Sequence, residues 1–63
     1  MPWTYDDPPV SMRHLPPEVL AKAVDIANAL LAAGRDEGSA IRIAISRAKE
    51  WGRRRGLRVE DPQ

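Results

Sequence analysis

Apolar residues recur with helical spacing in two stretches of this 63-residue chain, and a proline-studded leader without such spacing precedes them. On a wheel of about 100° per residue with Ile26 at zero, Val19, Leu20, Ala23, Val24, Ala27, Leu30, Leu31 and Ala33 share an arc of about 180°. Glu18, Ala21, Lys22, Asp25, Asn28, Ala29 and Ala32 fill the other side. This pattern predicts an amphipathic helix over 17–33. Pro17 suits the first helical position, where a missing N–H costs nothing. Glu18 puts negative charge in the first turn, as the helix dipole favours. Gly34 can take the left-handed conformation that stops the helix. An apolar face this wide needs two neighbours to cover it.

The second helix is predicted over 37–55, ending at Arg54 or Arg55, with Asp36 as its N-cap. Its stripe is narrower: Ala40, Ile41, Ala44, Ile45, Ala48 and Trp51. Alanine recurs at every fourth position of this stripe, which permits close approach to the first helix. Trp51 reads as part of the buried contact. Ile43 falls beside the stripe, on the flank of Arg47 and Arg54, where either the leader or a partner could cover it. Opposite the stripe lie Arg42, Ser46, Lys49 and Arg53. So short a connection, Gly34-Arg35-Asp36, makes the helices neighbours in an αα-hairpin or corner.

Five of the six prolines fall within residues 1–17. Each fixes its own φ and biases the residue before it away from helix. Residues 1–16 therefore read as an extended arm, with one short turn at 11–14 capped by Ser11. The arm carries Trp3, Tyr5, Val10, Met12 and Leu15, too many large apolar groups for a solvated tail. It should fold back over the helices with Trp3 as its main anchor. Residues 56–63 read as a short tail whose last residues fray. The fold class is thus all-α: one domain over 1–63, with two main helices in a hairpin or corner and an ordered proline-rich arm.

Composition narrows the chemistry. A chain this short has a thin core and usually needs a staple. It has no cysteine and one histidine, so neither a disulfide nor a four-ligand zinc site is available. No cofactor is expected. No stretch reaches the roughly 18 apolar residues of a membrane span, and the start lacks the layout of a signal peptide. The absence of cysteine fits a reducing compartment, so a cytoplasmic location is expected. Net charge is +1, but residues 1–41 sum to −3 and residues 42–63 to +4. That asymmetry points to an anionic partner, to head-to-tail association, or simply to a basic helix end that suits the dipole.

Catalytic constellations are missing. His14 has no nucleophile or orienting carboxylate at helical spacing that reads better than a cap, and Asp6-Asp7 reads as a solvated turn. Glu37-Gly38-Ser39 lacks the glycine pattern of a phosphate loop. The chain is therefore read as a non-enzyme. Trp51-Gly52-Arg53-Arg54-Arg55 is the most pointed local feature. Such a cluster could grip phosphate and stack on a base. That gives an alternative reading as an accessory nucleic-acid-binding protein using Arg42, Lys49, Arg53, Arg54, Arg55 and Arg58. Insertion of the second helix into a DNA groove is disfavoured. Its N-terminal end offers Glu37, Gly38, Ser39 and Ala40, which have negative charge and little reach.

Several of these residues carry a resemblance. Met1-Pro2-Trp3, Ser11-Met12, Leu15, Lys22-Ala23, Ile26-Ala27-Asn28-Ala29-Leu30, Gly34, Glu37-Gly38, Ala40-Ile41, Ile43-Ala44 and Glu50-Trp51 resemble the opening of short bacterial general stress proteins. In some of those, a second domain follows this unit. Met1-Pro2 plus an aromatic, Leu15-Pro16, Asn28, and Glu37 with Ala40, Ile43-Ala44 and Ala48-Lys49 also resemble the ChaB-like family, described as cation-transport regulators. Ile45 and Ala48 depart from that pattern, which prefers an aromatic and a larger aliphatic, and Arg53–Arg55 has no counterpart in it. The resemblance implies a compact helical fold and a non-enzymatic regulatory or stress-related role.

The first functional reading is a helical interaction module, with a protein partner or a second copy of the chain. Its candidate surface is Trp3, Tyr5, Ile43, Arg47 and Arg54. Structural roles fall to Gly34, Trp51 and Asn28. The last sits at the edge of the polar face, where its amide can bond the arm's backbone and fix its path.

Overall fold

A computed structural model describes residues 2–57. Helix α1 spans Pro17–Ala32 and helix α2 spans Glu37–Arg54. The leader contributes a single 3₁₀ turn at Val10–Met12. The protein is all-α, and the two helices pack against each other as a hairpin. Among the described residues no helix is long and apolar enough to cross a membrane. Residues 58–63 of the expected tail, Arg58 among them, lie outside the described residues.

Both helix ends are set by glycine. Gly34 has φ +103° and Gly56 has φ +76°, conformations that a side chain would strain. At each end the same pair of reverse bonds closes the last turn. The Gly34 N–H donates to the Leu31 carbonyl and the Arg35 N–H to the Leu30 carbonyl. Gly56 and Leu57 repeat this onto Arg53 and Gly52. This is the Schellman arrangement, which satisfies carbonyls that would otherwise lack partners. It ends α1 one residue before the expected Ala33 and α2 at Arg54, the earlier of its two expected ends. Leu57 also packs on the core, sealing the second cap.

The helix starts differ. Pro17 opens α1, and the carbonyl of Pro16 accepts the first helical bond from Leu20 at 2.7 Å. Asp36 caps α2 by accepting from the Ser39 N–H at 3.0 Å. That bond holds the exposed Asp36 carboxyl below its ordinary value of 3.8. In the arm, the expected Ser11 cap does not form. The 3₁₀ turn starts one residue earlier, after Pro9, and has no side-chain cap. Pro9 supplies the pre-set φ and its carbonyl accepts from the Met12 N–H at 3.0 Å. The turn puts Pro9, Met12 and Leu15 on one buried side, at the three-residue spacing of a 3₁₀ helix.

The core is built mainly from small groups. Val19, Ala23, Val24 and Ala27 of α1 are buried, as are Ala40, Ala44 and Ala48 of α2. Gly52 is also buried, so the small-residue row of α2 continues one step beyond the alanines. Val19, Ala23 and Ala27 form a matching row at the same four-residue spacing. Such rows are the ridges that mesh when helices pack closely. Among the described residues, Met12 and Val19 are the largest fully buried side chains. Leu20, Ile26, Ile41, Ile45 and Trp3 pack around the cluster and are partly buried.

Two predictions follow from this packing. Ala44→Leu should force the helices apart and cost about 1–3 kcal/mol. In a domain this small that lowers Tm by roughly 4–8 °C per kcal/mol, whereas Ala29→Leu on the exposed side should change it little. Thermal melts of both variants test the pair, and equal melting would contradict the close contact. The second concerns Asp36. A carboxyl whose folded pKa lies below its unfolded one stabilises above the unfolded value, and the gain is lost as pH falls through the folded one. Asp36→Ala should therefore lower Tm at neutral pH, and the gap to the unaltered chain should shrink below about pH 3.8, its ordinary value.

Candidate functional site

Asn28 is the one buried polar residue among those described, at 5% exposure. It lies just past the apolar arc of α1, on the edge that the arm covers rather than α2. Its amide bonds both backbone groups of one arm residue. The Trp3 N–H donates to Asn28 Oδ1 at 3.2 Å, and Asn28 Nδ2 donates to the Trp3 carbonyl at 2.9 Å. A primary amide can do this because its donor and acceptor lie side by side, as in a peptide group. The bond spans 25 residues of sequence and sets where the arm lies.

Beyond Trp3 the arm makes its own turn. Asp7 N–H donates to the Thr4 carbonyl and hydroxyl, each at 3.1 Å. Arg13 approaches Asp7 at 3.9 Å in a pair open to solvent. The Trp3 ring is half-buried against the core, but Tyr5 is 48% and Val10 77% exposed. These two are the exposed large hydrophobic residues among those described. Of the candidate surface, Ile43 is half-buried, while Arg47 and Arg54 are exposed on α2.

Trp51 does not join the buried cluster. The buried row of α2 steps by four residues, which turns it about 40° round the helix at each step. By Ala48 and Gly52 the row has moved to one side of the line on which Trp51 lies. The indole is left half-buried at the edge of the helix contact. Two cations stand over it: Lys22 Nζ is 5.5 Å and Arg55 Cζ 5.1 Å from its centroid. Both are within the range of a cation–π attraction. Beside the ring, Glu18, Ala21, Lys22 and Asp25 of α1 complete an open pocket of about 290 Å³.

The basic end of α2 is knitted to its own helix. Glu50 accepts from Arg53 at 3.4 Å and from Arg54 at 3.3 Å. Arg55 lies over Trp51, and Arg42 bonds the Ser39 hydroxyl at 3.4 Å. Lys49 is half-buried, and both it and Arg53 make further interactions. His14 is exposed and also has a partner. Among the described residues no group of three or more His, Cys, Asp or Glu is placed to hold a metal ion.

A bacterial protein is similar to this chain over part of its own length. The uncharacterized protein YdaT of Bacillus subtilis (strain 168) is 53% identical over 51 residues, which cover 81% of this chain and 34% of that protein. The chain thus spans about a third of the relative's length. No family model and no solved structure matches the chain.

The pocket beside Trp51 was not singled out from the sequence. A signal for it was present. In a hairpin closed by a short connection, the start of α1 lies beside the end of α2. Lys22 and Trp51 lie 12 and 15 residues from that connection, which sets them at neighbouring levels of the hairpin.

The Asn28 geometry gives a sharp expectation. Asn28→Ala removes both the acceptor of the Trp3 N–H and the donor to the Trp3 carbonyl. Leaving that buried pair unmade should cost about 1–3 kcal/mol. Hydrogen exchange at the Trp3 amide should speed up by more than the global loss of stability explains. Unchanged exchange and an unchanged melt would show that the tie carries no weight.

Proposed function

We propose that the chain is a small, non-enzymatic helical interaction module that binds another polypeptide through its arm. The observation that carries this reading is the state of the arm. It is pinned by Asn28 and packed by Pro9, Met12 and Leu15, yet it turns Tyr5 and Val10 outward. Ordered, exposed apolar groups on a rigid support are what an interface uses, because little entropy remains to be lost on binding. The relative supports the word module: a closely similar stretch makes up about a third of a longer bacterial protein. Ile43, Arg47 and Arg54 extend the proposed surface onto α2. A stress-related role in the bacterial cytoplasm, as the resemblance to general stress and ChaB-like proteins implies, is part of the proposal.

The nucleic-acid reading has less support. Arg53, Arg54 and Arg55 have partners within the helix, so a phosphate must compete with Glu50 and the Trp51 ring. The two readings separate cleanly. The immobilised chain should retain a protein from native-cell extract after nuclease treatment. The variant Tyr5→Ser with Val10→Ser should bind that protein about tenfold more weakly, the effect of one modest hot spot. Retention that disappears with nuclease, together with salt-sensitive binding of unspecific DNA or RNA, would replace the module reading with the other.

A further inference from the structure

The pocket beside Trp51 has a composition that the arm surface does not explain. One wall is an indole that already attracts two cations, with Lys22 Nζ 5.5 Å and, outside the pocket lining, Arg55 Cζ 5.1 Å from its centroid. The rim carries two exposed carboxylates, Glu18 and Asp25, seven residues apart and so about 10 Å apart along α1. Neither has an ion-pair partner among the described residues. Lys22 offsets one of the two charges, and the lining keeps a net charge of −1.

We propose that this pocket receives an arginine side chain from a partner polypeptide. A volume of about 290 Å³ suits the end of one long side chain rather than a whole cofactor. A guanidinium is planar, so it can lie flat on the indole while its edge donates to a carboxylate. An ammonium has no flat face to lay on the ring, so the same contact holds it less well. Lys22 holds the place in the free protein. Glu18 lies one turn before it and Asp25 one turn after, so its ammonium has a carboxylate to move to on either side when the guanidinium enters. An anionic ligand would meet two carboxylates, and a neutral one would leave both unanswered.

The proposal takes its partner, a polypeptide, from the module reading, but it uses a different surface: Tyr5 and Val10 are not in the pocket. The test uses the full chain labelled with ¹⁵N and the blocked peptide acetyl-Gly-Arg-Gly-amide, with the Gln peptide as the neutral control and the Lys peptide as the ammonium. The Arg peptide should shift the Trp51 indole N–H and the backbone amides of Glu18, Lys22 and Asp25, the Lys peptide less, and the Gln peptide not at all. Glu18→Gln with Asp25→Asn alters two exposed groups and should leave the fold intact. It should weaken the Arg peptide by about fivefold, the effect of two exposed charge contacts. Equal shifts from Arg and Gln peptides, or an unchanged affinity in the double variant, would overturn the proposal. Concentration-dependent shifts at the same residues without peptide, lost in Arg53→Gln with Arg54→Gln, would also overturn it and give the site to a second copy. Failure here would leave capture through Tyr5 and Val10 untouched, so the two proposals fail separately.

Discussion

The close contact between two rows of small side chains governs the rest of this structure. Ala40, Ala44, Ala48 and Gly52 let α2 approach the row of Val19, Ala23 and Ala27 on α1. A contact of this kind gains dispersion from near backbones but removes little apolar area from water. Two helices alone would leave Leu20, Ile26, Ile41 and Ile45 with a wet side. The arm makes up the difference. Met12, one of the largest fully buried side chains among the described residues, comes from the arm, and Leu15 follows at the next turn. The leader is thus a third part of the core, since Met12 and Leu15 join the same cluster as buried residues of both helices.

This explains why a buried polar residue is tolerated in so thin a core. An arm without helical or sheet bonding has backbone groups that need partners where it crosses the helices. Asn28 supplies both a donor and an acceptor at that point. A Leu there would add apolar area but leave the Trp3 N–H and carbonyl unanswered. The polar residue at the edge of α1 therefore sets the register of the arm, and the apolar residues beneath it set its strength.

The helices, their connection and the Asp36 cap were legible in the sequence because each rests on local chemistry. The same holds for Gly34, whose role is a backbone conformation. Three features were harder to read. The 3₁₀ turn starts after Pro9 because the proline fixes the geometry and buries itself, whereas a search for side-chain caps favours Ser11. Trp51 was assigned to the core by a wheel with a fixed centre, but the true contact row turns steadily round the helix. The pocket at Trp51 joins residues 18–25 to residue 51, and no local pattern links such distant positions. Only the antiparallel course of the hairpin brings them together.

That same course accounts for the uneven charge of the chain. Its acidic first part and basic last part are distant in sequence, but the hairpin lays the start of α1 beside the end of α2. Glu18 thereby sits near the positive end of one helix dipole, and Arg53 and Arg54 near the negative end of the other. The two helices also meet at Trp51, where two cations, Lys22 of α1 and Arg55 at the C-cap of α2, reach the same ring. A basic run that looks in sequence like a phosphate grip is, in the folded chain, one side of a junction between helix ends. Its arginines favour the helix they terminate, and the carboxylates left over on α1 give the junction its negative rim.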